Sequence, residues 1–234
     1  MGDLVGEESL RWPHVILVNG SSSAGKTTLC RGLQDAITHP YLCIGFDDFV
    51  FSAPARYYRG ADTAEQTHQD AFTTAGVRMV ITSAPGAPRS VTAVLGPVFQ
   101  RVMNGMAPAV RALVDVGNSV IFDHVLHDRR MYESVLTSFN GLDVFTVGVV
   151  CPVEILEARE AARGDRVLGR ARGLAEVVHT FCDYDVVVDT GDNSPQTCID
   201  QVLQALARHN TEPVSPRLSG SGGGQGSRGR RRRA

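Results

Sequence analysis

His14-Val15-Ile16-Leu17-Val18-Asn19, followed by Gly20-Ser21-Ser22-Ser23-Ala24-Gly25-Lys26-Thr27 and then Thr28-Leu29-Cys30-Arg31-Gly32-Leu33-Gln34-Asp35-Ala36-Ile37, is the stretch on which the fold turns. The first run is short and apolar, as a strand covered on both faces must be. In the last run Leu29, Leu33 and Ile37 recur at helical spacing. Between them stands G-x-x-x-x-G-K-[ST], the loop whose backbone N–H groups turn inward on phosphate oxygens. Strand, glycine loop, helix is the order this motif requires, because the positive N-terminus of the helix completes the anion site. Lys26 is the only lysine among 234 residues; all other ordinary cationic side chains are arginine. A compact ammonium at the β/γ-phosphates is something a planar guanidinium does not reproduce. The residues assigned to a nucleoside triphosphate are therefore Gly20, Ser21, Ser22, Ser23, Ala24, Gly25, Lys26, Thr27 and Thr28, with the Thr27 hydroxyl on Mg²⁺.

Strand candidates follow at 41–46, 119–123, 143–150 and 185–189, joining the first at 14–19. Helices are expected at 26–38, 98–116, 129–139, 152–162, 171–181 and 195–208. Asp128 and Ser194 are read as N-caps, and Pro195 as a first helical residue. Gly117 and Gly141 fall where helices stop. This alternation predicts an α/β fold: a five-stranded parallel sheet with helices on both faces. Residues 52–97, punctuated by Pro54, Pro85, Gly86, Pro88, Gly96 and Pro97, are too long for a plain connection and are read as a substrate-pocket insertion.

Bulk properties restrict the alternatives. A hydrophobic fraction of 43% supports a full core. No apolar run approaches ~18 residues, so no membrane span is expected. Residues 1–13 form an acidic, mixed extension without the plan of a signal peptide. The five cysteines, Cys30, Cys43, Cys151, Cys182 and Cys198, are scattered and are read as reduced thiols of a cytoplasmic protein. The net charge of −2 conceals an arginine-rich end: six of the 23 basic residues fall in 217–234, leaving 17 against 25 acids elsewhere. Residues 211–234 are read as a disordered basic tail, with nucleic acid an unlikely partner.

In open α/β sheets, ligands sit outside the carboxyl ends of the strands. Asp47 and Asp48 follow the second strand. Either carboxylate can face the γ-phosphate and steer an acceptor hydroxyl; Asp47 is favoured, with Asp48 as a cap, and the choice stays open. Asp123, at the tip of the third strand, is the expected outer holder of Mg²⁺. The spacing of His124, His127 and Asp128 matches no common transition-metal pattern. Arg159, Arg163, Arg166, Arg170 and Arg172 lie within 14 residues, with Gly164 and Gly169 between them. That composition suits a lid over phosphate oxygens at 163–172. Thr190, after the last strand, is placed near the nucleotide base.

With these parts in view, the chain resembles the chloramphenicol phosphotransferase family of adenylate-kinase-like P-loop small-molecule kinases. The resemblance rests on Val18 to Thr27, Gly45-Phe46-Asp47, Gly96-Pro97 with Phe99, Ile121-Phe122-Asp123, Val147-Gly148-Val149 with Cys151-Pro152, Ala162-Arg163-Gly164-Asp165-Arg166 with Gly169, His179, and Tyr184-Asp185 with Val188-Asp189-Thr190. It spans about residues 14–208 and implies ATP- and Mg²⁺-dependent phosphorylation of a hydroxyl on a small molecule, with Asp47 in the base position and Arg163 and Arg166 on the phosphates. His124 stands where the family often has a second Asp, Leu174 where Gln is common, and residues 52–97 share little with it. An antibiotic or another metabolite hydroxyl is the expected acceptor. A kinase of nucleotide sugars or nucleic acid ends, and a non-catalytic ATP-binding protein, are the competing readings.

Overall fold

The computed structural model describes residues 12–58, 71–164 and 167–210. In chain order the elements are β1 (Val15–Gly20), α1 (Lys26–Ala36), β2 (Tyr41–Gly45), α2 (Phe46–Ser52), α3 (Ala71–Ala75), β3 (Val77–Ile81), β4 (Val91–Leu95), α4 (Pro97–Asp115), β5 (Ser119–His124), α5 (Arg129–Ser138), β6 (Val144–Val150), α6 (Val153–Arg163), α7 (Arg170–Ala175), β7 (Val186–Asp189) and α8 (Pro195–His209). A 3₁₀ turn at Ala55–Tyr57 separates α2 from α3.

Five strands form one sheet in the order β2-β5-β1-β6-β7, and every pairing is parallel. Alternate side chains feed two cores, as the pleat requires. Ile16, Val18, Ile121, Phe145, Val147 and Val149 join Leu29 and Leu33 of α1 and Ile199 and Val202 of α8. Val15, Leu17, Val120 and Phe122 face the other way, onto Phe99, Met106 and Val110 of α4 and Val135 of α5. Every residue of β1 is buried. That is the pattern of a central parallel strand, and it explains why the motif-bearing segment reads as unbroken apolar sequence.

The expected caps are in place. Asp128 Oδ1 accepts the Met131 N–H at 2.8 Å, and Ser194 Oγ accepts the Thr197 N–H at 3.1 Å with Pro195 opening α8. Gly117 and Gly141 take positive φ, which side chains with a Cβ rarely tolerate.

Two expectations need correction. The second strand ends at Gly45, and Phe46, Asp47 and Asp48 begin a helix; the cause is local, since Asp48 Oδ2 accepts the Gly45 N–H at 2.7 Å and caps α2. The helix expected at 171–181 stops at Ala175 and gives way to turns.

Within 52–97, the described residues 71–97 hold regular elements that the prolines did not suggest. Strands β3 and β4 pair antiparallel as a separate two-stranded sheet, from Val77↔Leu95 to Ile81↔Val91. Val77, Met79 and Val91 are buried against the α4 side of the core. The hairpin is fastened where it meets α3: a Cβ on Gly96 would lie 2.1 Å from the Thr74 carbonyl oxygen. Only a residue without a side chain fits there.

Phe145 is 1% exposed on β6, remote from the carboxyl-end loops. Replacing it with Ala should cost about 3–5 kcal/mol, read as a lowered urea midpoint with an unchanged slope.

Candidate functional site

The loop after β1 curls through two left-handed residues, Ser23 at φ 63° and Gly25 at φ 84°, before α1 begins at Lys26. Several contacts hold that curl. Lys26 Nζ donates to the Ser21 carbonyl at 2.9 Å, and Ser21 Oγ donates to the Ala171 carbonyl at 2.8 Å. Thr190 Oγ1 donates to the Ala24 carbonyl at 2.8 Å. Arg159 in turn grips Thr190, with one nitrogen on the hydroxyl at 3.1 Å and another on the carbonyl at 2.8 Å. The sequence placed Thr190 beside a nucleotide base, but its hydroxyl is engaged within the protein as a brace of the loop.

Lys26 is 7% exposed. Burial pulls its pKa below the ordinary lysine value, and Asp123, 4.0 Å away, partly restores it. An ammonium held dry beside a lone carboxylate is primed for further negative charge. Ser23 Oγ is buried with no hydrogen-bond partner, as an atom awaiting an anion's oxygen would be. On the helix side, Thr27 Oγ1 donates to Asp123 Oδ2 at 2.7 Å. This hydroxyl and carboxylate are a hard-oxygen pair of the kind Mg²⁺ takes, the ion's remaining positions going to phosphate and water. The residues present fit that ion.

On the opposite side of the loop opens a cavity of about 220 Å³. Its walls are mostly apolar: Phe46 and Phe51 of α2, Met79 and Leu95 of the hairpin, and Phe99 of α4. Asp47, His127 and Arg170 supply its ionisable groups. Asp47, in the first turn of α2, is half-buried, and its charge reaches Lys26. Asp48 is exposed and occupied as a cap. The helical turn thus separates two acids that looked equivalent in sequence.

Among the clustered arginines, Arg159 and Arg172 are tied into the scaffold. Arg159 braces Thr190, and Arg172 pairs with Glu157 through two bonds of 2.7 and 2.9 Å. Arg170 lines the cavity. Arg163 is exposed in the last turn of α6, and Arg166 lies outside the described residues. Sequence reasoning did not single out Glu160, and it read Arg159 and Arg170 only as members of the lid cluster, not as a brace of Thr190 and a cavity residue. Neither did it see His127 as a cavity residue, since its only signal was proximity to the β5 strand end.

The profile of chloramphenicol phosphotransferase-like proteins matches residues 13–207. The chain belongs to the chloramphenicol phosphotransferase-like family. Two Mycobacterium tuberculosis sequences from different strains, each named "Putative O-phosphotransferase", are 34% identical to it over 178 residues, covering 75% of this chain and 74% of theirs. Among solved structures, a sugar kinase from Janibacter aligns with TM-score 0.58 at 17% identity, over 82% of this chain and 93% of that one. A gluconokinase from Sinorhizobium meliloti gives 0.55 at 16%, over 86% and 95%. These distant likenesses fix the fold as that of P-loop kinases. This member of the chloramphenicol phosphotransferase-like family is a phosphotransferase with an alcohol group as acceptor. Among its described residues, no helix is long and apolar enough to cross a membrane.

The His124 side chain that stands where the family often has an acid is 1% exposed, between the rings of Phe46 and Phe122. Burial pushes its pKa down to about 3, so it is neutral in the fold. Unfolding returns it to about 6.5. Between those values the unfolded chain binds the extra proton, so stability falls as pH drops from 6.5 toward 3. This residue should contribute a loss of up to about 1.4 kcal/mol per pH unit in that window. Urea titrations at pH 7 and pH 5 should show a smaller difference for His124→Leu than for the parent chain.

Proposed function

We propose that the protein transfers the γ-phosphoryl group of ATP to a hydroxyl on a small, largely apolar molecule seated in the cavity beside Asp47, an antibiotic-like alcohol being the favoured class. One observation carries this reading. The carboxylate of Asp47 stands on the wall of an apolar cavity while its charge also acts on the buried Lys26 of the phosphate loop, so an alcohol seated in that cavity faces the loop that would hold the terminal phosphate.

The chemistry follows from these positions. Residues 20–27 hold the triphosphate by backbone N–H groups, the Ser23 hydroxyl and the Lys26 ammonium. Thr27 and Asp123 would hold Mg²⁺, which neutralises charge on the phosphate oxygens when bound. Asp47 accepts the hydrogen bond of the acceptor hydroxyl and aims its oxygen at the γ-phosphorus. The new O–P bond forms as the bond to the β-phosphate oxygen breaks, releasing ADP. Because the transition state is loose, the proton leaves late, and Asp47 needs only to receive it then. Arg163 and Arg166 are assigned to the phosphate oxygens, where guanidinium forks stabilise spreading charge.

The lining argues for the acceptor class. A sugar carries a hydroxyl on nearly every carbon, and each left unpaired in a dry pocket costs about 1–3 kcal/mol. The wall of Phe46, Phe51, Met79, Leu95 and Phe99 pairs none of them, and the side chains that can, Asp47, Tyr58, Thr92, His127 and Arg170, are the minority of the lining. It suits an aromatic or aliphatic body with few polar groups. The family supports an antibiotic-like alcohol, and the divergent 52–97 stretch supports an acceptor other than chloramphenicol itself.

Incubation with ATP, Mg²⁺ and a panel of hydroxylated antibiotics and apolar alcohols should yield a product heavier by one phosphoryl group, detected by mass spectrometry. Asp47→Asn should lower kcat by about 10²–10⁴-fold while changing ATP affinity little. Full activity in that variant, or preferential turnover of polyhydroxylated sugars, would overturn the assignment.

A further inference from the structure

Glu160 is 1% exposed, yet it is a carboxylate in the interior of α6. Both of its oxygens are used. Oε2 accepts the Gly169 N–H at 2.7 Å and Oε1 accepts the Ala171 N–H at 2.8 Å. These two donors lie at the beginning of α7, where the chain returns after the arginine-rich turn. Each neighbouring carbonyl reaches a different part of the site. Ala171 O accepts from Ser21 Oγ, inside the phosphate loop. Gly169 O accepts from the Val91 N–H at 2.9 Å, the first residue of β4 on the cavity wall.

The packing leaves this return segment little freedom. Gly169 sits at φ 91°, and a Cβ on it would lie 2.6 Å from the Arg89 carbonyl oxygen. On Gly173 a Cβ would lie 2.4 Å from the Val91 carbonyl oxygen. The two glycines bring the backbone of α7 directly against the hairpin. Charge-assisted bonds to a buried carboxylate are stronger than neutral ones, and a displaced carboxylate would stay buried without donors. Glu160 therefore fixes Gly169 and Ala171 relative to each other, and they move together or not at all.

From this geometry we infer that Glu160 is a positioning residue that couples occupancy of the phosphate loop to the wall of the acceptor cavity. A shift of Ser21 on binding a triphosphate pulls on Ala171; the Glu160 carboxylate transmits it to Gly169, and the Val91 bond passes it to β4. By linkage, an acceptor that orders the hairpin tightens the grip on nucleotide to the same degree. Gln in place of Glu160 supplies one carbonyl oxygen where two are needed, and turns an N–H₂ toward one of the donors. The inference rests on nucleotide being held at residues 20–27.

Hydrogen–deuterium exchange of the full chain, with and without Mg²⁺ and a non-hydrolysable ATP analogue, tests this. In the parent protein the analogue should slow exchange at residues 20–30 and, by at least about fivefold, the low end of ordinary coupling between sites, at 91–95. In Glu160→Gln the protection at 20–30 should persist while that at 91–95 is lost. A merely structural Glu160 would instead leave the nucleotide-dependent difference at 91–95 intact in the variant, and that result overturns the inference. The parent protein suffices if the variant fails to fold: protection at 20–30 with none at 91–95 defeats the coupling alone. Protection at neither place defeats the nucleotide reading with it.

Discussion

A loop that must receive three phosphates has to keep its shape before they arrive. Residues 20–25 have no side chains large enough to pack among themselves, so their curl depends on braces from beyond them. Ser21 is held from α7, Ala24 from Thr190, and Thr190 from Arg159. Lys26 is folded back on Ser21 and faces Asp123. The rest of the fold is arranged to deliver these braces: β5 brings the carboxylate, the end of β7 the threonine, and α6 and α7 the rest. The parallel sheet makes this possible by ending all its strands on one side.

The same arrangement divides labour between the two faces of the molecule. The α1–α8 core stiffens the nucleotide side, where geometry must be kept. The α4–α5 core extends into α2 and the hairpin, where the acceptor cavity is built. Asp47 stands on the border between them. Its helix starts because Asp48 caps it, so a residue with no part in the cavity determines where the cavity's carboxylate lies.

Much of this was legible in the chain itself. The five strands lie within a residue of where they were read, because buried parallel strands are apolar on both faces, and the tight turn from β1 into α1 was announced by its glycines. Thr27 and Asp123 followed from the order strand, loop, strand. The hairpin at Val77–Leu95 was legible in principle as two alternating runs, but the prolines between and around them dominate the pattern. Glu160 was not legible at all: an acid in an arginine-rich helix reads as a surface ion pair, and only the fold shows it turned inward onto backbone. The part Thr190 plays in bracing the loop was hidden for a related reason. A hydroxyl after a strand looks available until the tertiary partners of its oxygen are seen.

The lone lysine has a chemical corollary. Its amine is buried, and its proton is held less firmly than that of an ordinary lysine, so a larger fraction is nucleophilic at neutral pH. With arginine as every other ordinary cation, Lys26 is the chain's sole side-chain amine. Derivatisation of this protein by a triphosphate-shaped electrophile would therefore report, at a single covalent address, whether its nucleotide seat is filled.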